Sequence, residues 1–322
     1  MEQVLKPAVV VRKPEAGRSL AVAFALMIVL CVAGPFVLYP VFLMKALCFS
    51  LFACAFNLLI GYVGLISFGH ALFFGWASYV TAYTAKAWGW PPELAIVSGT
   101  AIAAVLGVVA GGLAIRRQGI YFAMITLALS QMMYFFALQA KFTGGEDGIQ
   151  GVPRGRLFGL FDLANEMTMY VFVLIVFLAA FLLIYRIINS PFGEVLKAIR
   201  ENELRTISLG YRTERYKLVA FVLSATLAGL AGGLNSLVFQ LASLTDVHWT
   251  MSGDVVLMTL LGGLGTIFGP VVGAFVVVTM QNYLAPFGQW VLVIQGAIFV
   301  VCVLLFRRGI VGELANILRV PL

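Results

Sequence analysis

Residues 169–203 read MYVFVLIVFLAAFLLIYRIINSPFGEVLKAIRENE, and this stretch sets the class of fold. Between Met169 and Ile188 the only formal charge is Arg186, near the end, and roughly 20 apolar residues suffice to cross about 30 Å of bilayer hydrocarbon. Asn189-Ser190-Pro191 closes the run with a helix N-cap residue and a proline suited to the first helical turn. Charges then return every three or four residues. The stretch is a membrane-crossing helix followed by a second helix outside the membrane.

The rest of the chain repeats the first half of that pattern. Of its 322 residues, 62% are hydrophobic and 11% charged, whereas soluble chains are about half apolar and a quarter charged. The excess apolar surface needs lipid. Apolar runs lie near 20–40, 42–60, 66–86, 94–115, 119–139, 169–188, 216–239, 253–264, 267–285 and 289–306. The expected fold is an all-α integral membrane protein with about ten transmembrane helices, one domain over 1–322. The run 253–264 is short and ends in Gly262, Gly263 and Gly265, so it reads as a short crossing or as a re-entrant piece.

Cytoplasmic loops carry an excess of Lys and Arg. Ten spans with the N-terminus inside put Lys6, Arg12, Lys13 and Arg18 in a tail (1–18) and Arg116 and Arg117 in one inner loop. The bases from Arg186 to Lys217 then share another inner loop (189–216), and Arg307, Arg308 and Arg319 a second tail (307–322). Only Lys45, Lys86, Lys141, Arg154 and Arg156 of the 21 basic residues remain outside. Omitting one crossing in the last third would strand Arg307 and Arg308 outside, so charge parity favours 253–264 as a true crossing. The first run is too long for a secretory h-region and lacks a small-x-small cleavage site, which makes it an uncleaved span. Cys31, Cys48, Cys54 and Cys302 lie inside apolar runs and read as small core residues.

Two loops stand out. The outer one, 140–168, contains Thr143-Gly144-Gly145-Glu146-Asp147-Gly148-Ile149-Gln150-Gly151-Val152-Pro153 and reads either as a docking surface for an external partner or as a solvated connector. In the inner one, Ser190-Pro191 starts and Gly210 stops an expected helix over 191–209. Glu194, Lys197, Glu201 and Arg205 share one charged face; Val195, Leu196, Ile199, Leu204 and Ile207 share the opposite face, which must be buried. Arg200 and Glu203 fall within that apolar arc, where unpaired charge is costly. They are expected to meet a partner protein, the alternative being a helix lying on lipid headgroups.

Here the chain resembles a known family. Gly193, Ala198-Ile199-Arg200-Glu201-Asn202-Glu203, Gly210 and Tyr216-Lys217-Leu218-Val219-Ala220-Phe221 are similar to the cytoplasmic loop of the branched-chain amino acid permeases, LivM type, of bacterial ABC importers. The likeness continues through Asn57-Leu58-Leu59 with Gly61, Gly64, Ser67, Gly69, His70 and Gly75. It includes Gly144-Gly145, Gly148 and Gly151, and Leu261-Gly262-Gly263-Leu264-Gly265-Thr266 with Gly269, Pro270, Gly273 and Ala274. It covers roughly residues 40 to 306. The resemblance implies an ABC importer permease architecture in the bacterial inner membrane, both termini cytoplasmic. It also implies a sister permease, two cytoplasmic ATPase subunits and a periplasmic solute-binding protein. By the same analogy Gly193, Glu194, Ala198, Ile199, Arg200, Glu201, Asn202, Glu203 and Gly210 form a cytoplasmic coupling helix against the ATPase.

The expected translocation path is drawn from glycine breaks and intramembrane polar groups: Asn57, Gly64, Ser67, Gly69, His70, Thr126, Gln131, Asp254, Gly263 and Gly265, with Ser130 and Asn282 as further polar positions. Interrupted segments in the two halves of a transporter often flank the substrate; close helix packing is the alternative for the glycines and helix–helix hydrogen bonding for the polar residues. There is no Gly-x-x-x-x-Gly-Lys-Ser/Thr loop, so ATP and Mg are expected on the partner ATPases and no cofactor on this chain. His70 and His248 lack a second ligand at metal-binding spacing. The bases flank membrane runs, which argues against nucleic acid. The leading expectation is an importer of branched-chain or related amino acids without enzymatic activity. The alternatives are an importer of urea, short amides, aromatic acids or a sugar, and an ion-coupled secondary carrier, which would want intramembrane acids.

Overall fold

A computed structural model describes residues 14–284, 286, 288, 290–305 and 309–318. The bases Lys6, Arg12, Lys13, Arg307, Arg308 and Arg319 that entered the orientation argument lie outside the described residues. A helix occupies each of the ten apolar runs: α1 Pro14–Ala33, α2 Pro40–Ile60, α3 His70–Ala87, α4 Pro92–Ala114, α5 Ile120–Gln139, α6 Glu166–Ile188, α9 Thr213–Phe239, α11 Trp249–Gly262, α12 Gly269–Leu284 and α13 Trp290–Leu305. Of these, α2, α4, α5, α6 and α9 are long and apolar enough to cross a membrane by length and composition.

The bundle is built around α2 and α9. Met44, Leu47, Phe52 and Phe56 of α2 are fully buried, while α9 packs along α2, α3 and α4, and α6, α11 and α12 close on α2. Backbones approach closely at small residues, as expected where lipid gives no hydrophobic drive between helices. A Cβ at Gly232 of α9 would collide with the Phe74 carbonyl of α3, and one at Gly229 with Ala103 of α4. Outward, Val97, Val105, Met124, Ile175 and Leu182 are exposed apolar residues; a bundle that is apolar both inside and outside is suited to hydrocarbon surroundings. All four cysteines are free.

Three elements depart from the sequence expectations. The inner loop holds two helices, α7 Pro191–Glu201 and α8 Glu203–Ser208, in place of one. Asn202 takes extended backbone (φ −158°, ψ 100°) and its side chain accepts from the Arg205 amide, so it ends α7 and caps α8; an asparagine able to cap competes with helix continuation. Ser190 caps α7 through the Gly193 amide, and Gly210 stops the pair at φ +90°. Secondly, part of the expected C-terminal tail is a helix, α14 Gly309–Leu318, packed on α11 and α12 with Val311 buried.

Thirdly, the outer loop is docked on the bundle. Its strand β1 Ile149–Gln150 pairs antiparallel with β4 Leu241–Ala242 just beyond α9, and β2 Arg156–Leu157 pairs with β3 Phe161–Asp162 in a hairpin. Arg154 donates to the Leu237 and Val238 carbonyls at the end of α9, and Lys86 to the Gln150 carbonyl. Gly148 makes the close approach possible: it has φ +66°, and a side chain there would strike the Ala242 carbonyl.

Candidate functional site

The candidate residues gather at two levels, one at the end of the bundle that carries α7 and α8 and one inside it. At that end, α2 stops at Ile60 and the chain from Gly61 to Gly69 runs as turns and extended backbone before α3 begins at His70. Opposite it, α11 stops at Gly262 and residues 263–268 form a second break, with Gly263 at φ +124° and Gly265 at φ +75°. The Asn57 carboxamide joins them, accepting from the Gly265 amide at 3.1 Å and donating to the Thr266 carbonyl at 2.9 Å.

Arg200 closes the same junction from below. Its guanidinium donates to the Gly61 carbonyl, its stem lies beside Gly64, and a Cβ at Gly265 would come within 3.1 Å of its Nη1. Burial pushes the neighbouring Tyr62 phenol well above its usual range, with the Arg200 charge acting the other way. Glu203 pairs with Lys217 at 2.5 Å and accepts from Gln118 at 2.9 Å. The two charges expected to face a partner are therefore engaged within the chain. Both tie the α7–α8 pair to the membrane-embedded helices.

What faces outward is a different set. Leu196 and Ile199 are buried against the bundle, whereas Leu204 is 80% and Leu209 69% exposed, with Ile207 and Tyr211 also open. Glu194 and Lys197 pair along the solvated stripe of α7 at 2.9 Å. A groove of about 940 Å³ runs beside the pair, lined by Phe192, Val195, Ala198, Leu209, Tyr211 and Tyr216. A smaller one of about 260 Å³ lies between Gly64, Gln118, Arg200, Glu203 and Lys217. Glu201 is exposed, and Gly193 fits against the Ile187 and Ile188 carbonyls where no side chain could.

Inside the bundle, α3 begins in the interior and its first turn is satisfied by side chains. The Phe68 amide donates to the Thr126 hydroxyl at 3.2 Å, Gly69 to the Ser67 hydroxyl at 3.3 Å and Ala71 to the Ser252 hydroxyl at 2.9 Å. Gly69 presses on the Thr126 carbonyl. Buried His70 meets the Ser224 hydroxyl at 2.9 Å among the rings of Phe56, Phe73 and Phe221, and Ser224 donates to the Ala55 carbonyl. Most of these polar groups act as helix–helix hydrogen bonds. Gln131 is half-buried with no hydrogen bond among the described residues, Ser130 is buried and likewise unpaired, and Asn282 is exposed.

Asp254 differs from the others. Its carboxylate accepts from Gln281 of α12 at 3.2 Å and from Gln295 of α13 at 3.4 Å. Lys45, counted among the outer bases and lying near the start of the run 42–60, is in the second turn of α2 and within electrostatic reach of Asp254 and Asp246. A lone lysine with a long aliphatic stem does not interrupt an apolar window, and the residue pattern, in which Lys45 counts as a loop-flanking base, holds no sign of the acids near it. The bundle interior is thus less empty of charge than the residue pattern implied. Among the described residues no group of three or more His, Cys, Asp or Glu could hold a metal ion.

Comparison with known proteins agrees with this architecture. A family described as "Branched-chain amino acid transport system / permease component" matches residues 39–303. The chain is similar to the high-affinity branched-chain amino acid transport system permease protein LivM of Escherichia coli (strain K12), at 25% identity over 277 residues, covering 79% of this chain and 65% of the relative. The LivM protein of Salmonella typhimurium (strain LT2) is 26% identical over 282 residues with the same coverage. The ribose import permease protein RbsC of Bacillus subtilis (strain 168) is 28% identical over 188 residues, 56% of this chain and 58% of that one. The match thus spans 65% of the length of the LivM relatives. No solved structure matches.

Proposed function

The chain belongs to the family of permease components of branched-chain amino acid transport systems, and on that premise we propose that it is a membrane subunit of an ATP-driven importer carrying a branched-chain or related amino acid into the cytoplasm. It is a multi-pass membrane protein. In this reading its ten apolar helices all cross the bacterial inner membrane with both termini inside, and α7–α8 is the coupling element. ATP and Mg belong to two partner ATPases, a periplasmic binding protein delivers the solute, a sister permease completes the pore, and the chain itself catalyses no reaction.

The observation that carries the reading is the Arg200–Gly61 contact at the point where Asn57 joins the two glycine breaks. A rigid helix pair outside the membrane, bonded to backbone that interrupts two membrane helices, can turn movement of a docked ATPase into movement of the path. The coupling contact itself is assigned to Leu204, Ile207 and Leu209, exposed apolar residues suited to a partner's groove.

The likeness to a ribose permease keeps a sugar as the second reading. Reconstitution of the permease pair with its ATPases and binding protein separates them: ATP-dependent uptake of radiolabelled leucine, isoleucine or valine supports the first, and uptake of a pentose without amino acids replaces it. Uptake by the purified chain alone, driven by an ion gradient, would remove the importer reading.

A further inference from the structure

Charged side chains inside a membrane bundle are costly, and they persist where they pair with each other or serve a pathway. Lys45 and Asp254 are not paired directly. They come from α2 and α11, which pack together, and the two charges interact, yet among the described residues no carboxylate oxygen lies within 4.0 Å of the Lys45 ammonium. Asp254 is held by the neutral amides of Gln281 and Gln295, one on each carboxylate oxygen. Those amides come from two further helices, so the carboxylate cannot swing to the lysine without losing both.

Lys45 is left with three N–H donors and no hydrogen bond among the described residues; its ammonium stands over the face of Phe49, 5.9 Å from the ring centre. Asp246, the other acid near it, is engaged by its own short helix: its carboxylate accepts from the Ser243 amide at 3.3 Å in a capping box. Close by, the fully buried Tyr79 hydroxyl has no hydrogen-bond partner among the described residues and interacts electrostatically with Asp246. Lys45, Asp254 and Gln281 are only half-buried, so a small solute can reach their polar ends.

We propose that Lys45 and Asp254 form a transit station for a zwitterionic α-amino acid, the lysine donating to its carboxylate and the aspartate accepting from its ammonium. An α-amino acid carries those two charges side by side. It would complete both halves of a pair that the protein holds apart, and leave them in the same state when it departs. Because the glutamines already satisfy Asp254 in part, the station binds weakly, as a path that must release its cargo requires. A neutral sugar would find two charges it could not match.

This inference rests on the amino-acid reading above, and the test separates the two. The complete importer, with its ATPases and binding protein, is reconstituted in proteoliposomes as wild type and as Lys45→Met, Lys45→Arg and Asp254→Asn. Leucine uptake, ATPase copurification and thermal melting are measured in parallel. Lys45→Met and Asp254→Asn are expected to lower the maximal uptake rate about tenfold or more, with the binding-protein concentration at half-maximal rate unchanged and Lys45→Arg retaining most of the activity. Uptake within twofold of wild type in either neutral variant overturns the station while leaving the amino-acid reading intact. If Lys45→Met fails to assemble, the near-isosteric Asp254→Asn decides. Wild-type liposomes that hydrolyse ATP but take up no amino acid overturn both.

Discussion

The side chain of Asn57 bonds the Gly265 amide and the Thr266 carbonyl, residues more than two hundred positions away, and so fastens the end of α2 to the break after α11. Asn57 is buried and the two backbone groups are part-buried, so removing the carboxamide leaves a donor and an acceptor poorly satisfied. Asn57→Ala is expected to destabilise the protein by about 1–3 kcal/mol, and Asn57→Asp, which keeps the acceptor but buries a carboxylate oxygen against the Thr266 carbonyl, by at least as much. Thermal melting in detergent ranks the three proteins; equal melting temperatures would mean that the bridge contributes nothing.

Arg200 and the exposed leucines make opposite predictions. Arg200→Ala cuts the tie to Gly61 but leaves the outward face of α8 unchanged, so the ATPase should still copurify while uptake falls, roughly three- to thirtyfold. Leu204→Asp with Leu209→Asp should instead weaken ATPase binding by about 2 kcal/mol or more, seen as lost copurification. If Arg200→Ala releases the ATPase, the assignment of this side chain to the chain's own backbone contact is wrong in function.

The Glu203–Lys217 pair is well placed for a measurable coupling energy. Lys217 is 5% exposed and Glu203 20%, with the pair at 2.5 Å. Lys217→Met alone strands the carboxylate, with only Gln118 left to bond it, whereas Glu203→Gln with Lys217→Met removes both charges. The double variant is expected to be more stable than the Lys217→Met single, and the double-mutant cycle to give about 1–3 kcal/mol. Because the pair is largely shielded, raising salt should change that value little.

Gly232→Val tests the helix packing. The added side chain meets the Phe74 carbonyl, a backbone atom that cannot rotate away. Folded protein recovered from membranes, followed by size-exclusion chromatography, should fall severalfold, whereas Gly112→Val, where nothing lies within 4 Å, should leave yield near wild type.

The sequence carried the bundle well, because a helix that meets lipid must be apolar for its whole length. All ten runs became helices, and Ser190 and Gly210 act where their local chemistry put them. It carried the contacts poorly. Helical periodicity put Arg200 and Glu203 on a face expected to be buried, yet Arg200 is exposed, Glu203 is partly buried and Leu204 and Ile207 are open; periodicity names a face and never the neighbour behind it. That neighbour was Gly61 in one case and Lys217 in the other. Asn202 hid its cap in a stretch whose charge pattern runs on without interruption. Lys45 was lost because hydropathy averages a charge into its surroundings, while its meaning depends on Asp254, far off in the chain. Asn57, Ser67, His70 and Thr126 were singled out as polar groups in or beside apolar runs, and their hydrogen bonds go to other helices, the break after α11 and the start of α3.

The pairing of β1 with β4, reinforced by Arg154 at the end of α9, has a practical side. The hairpin that carries Phe158 and Leu160 is not a free tether: it is lashed to the tip of α9, one of the two helices around which the bundle is built. A fluorophore at Leu160, where the side chain is open to its surroundings, would therefore act as a pointer fixed to that helix, and its distance to a second dye would report the tilt of α9 during turnover.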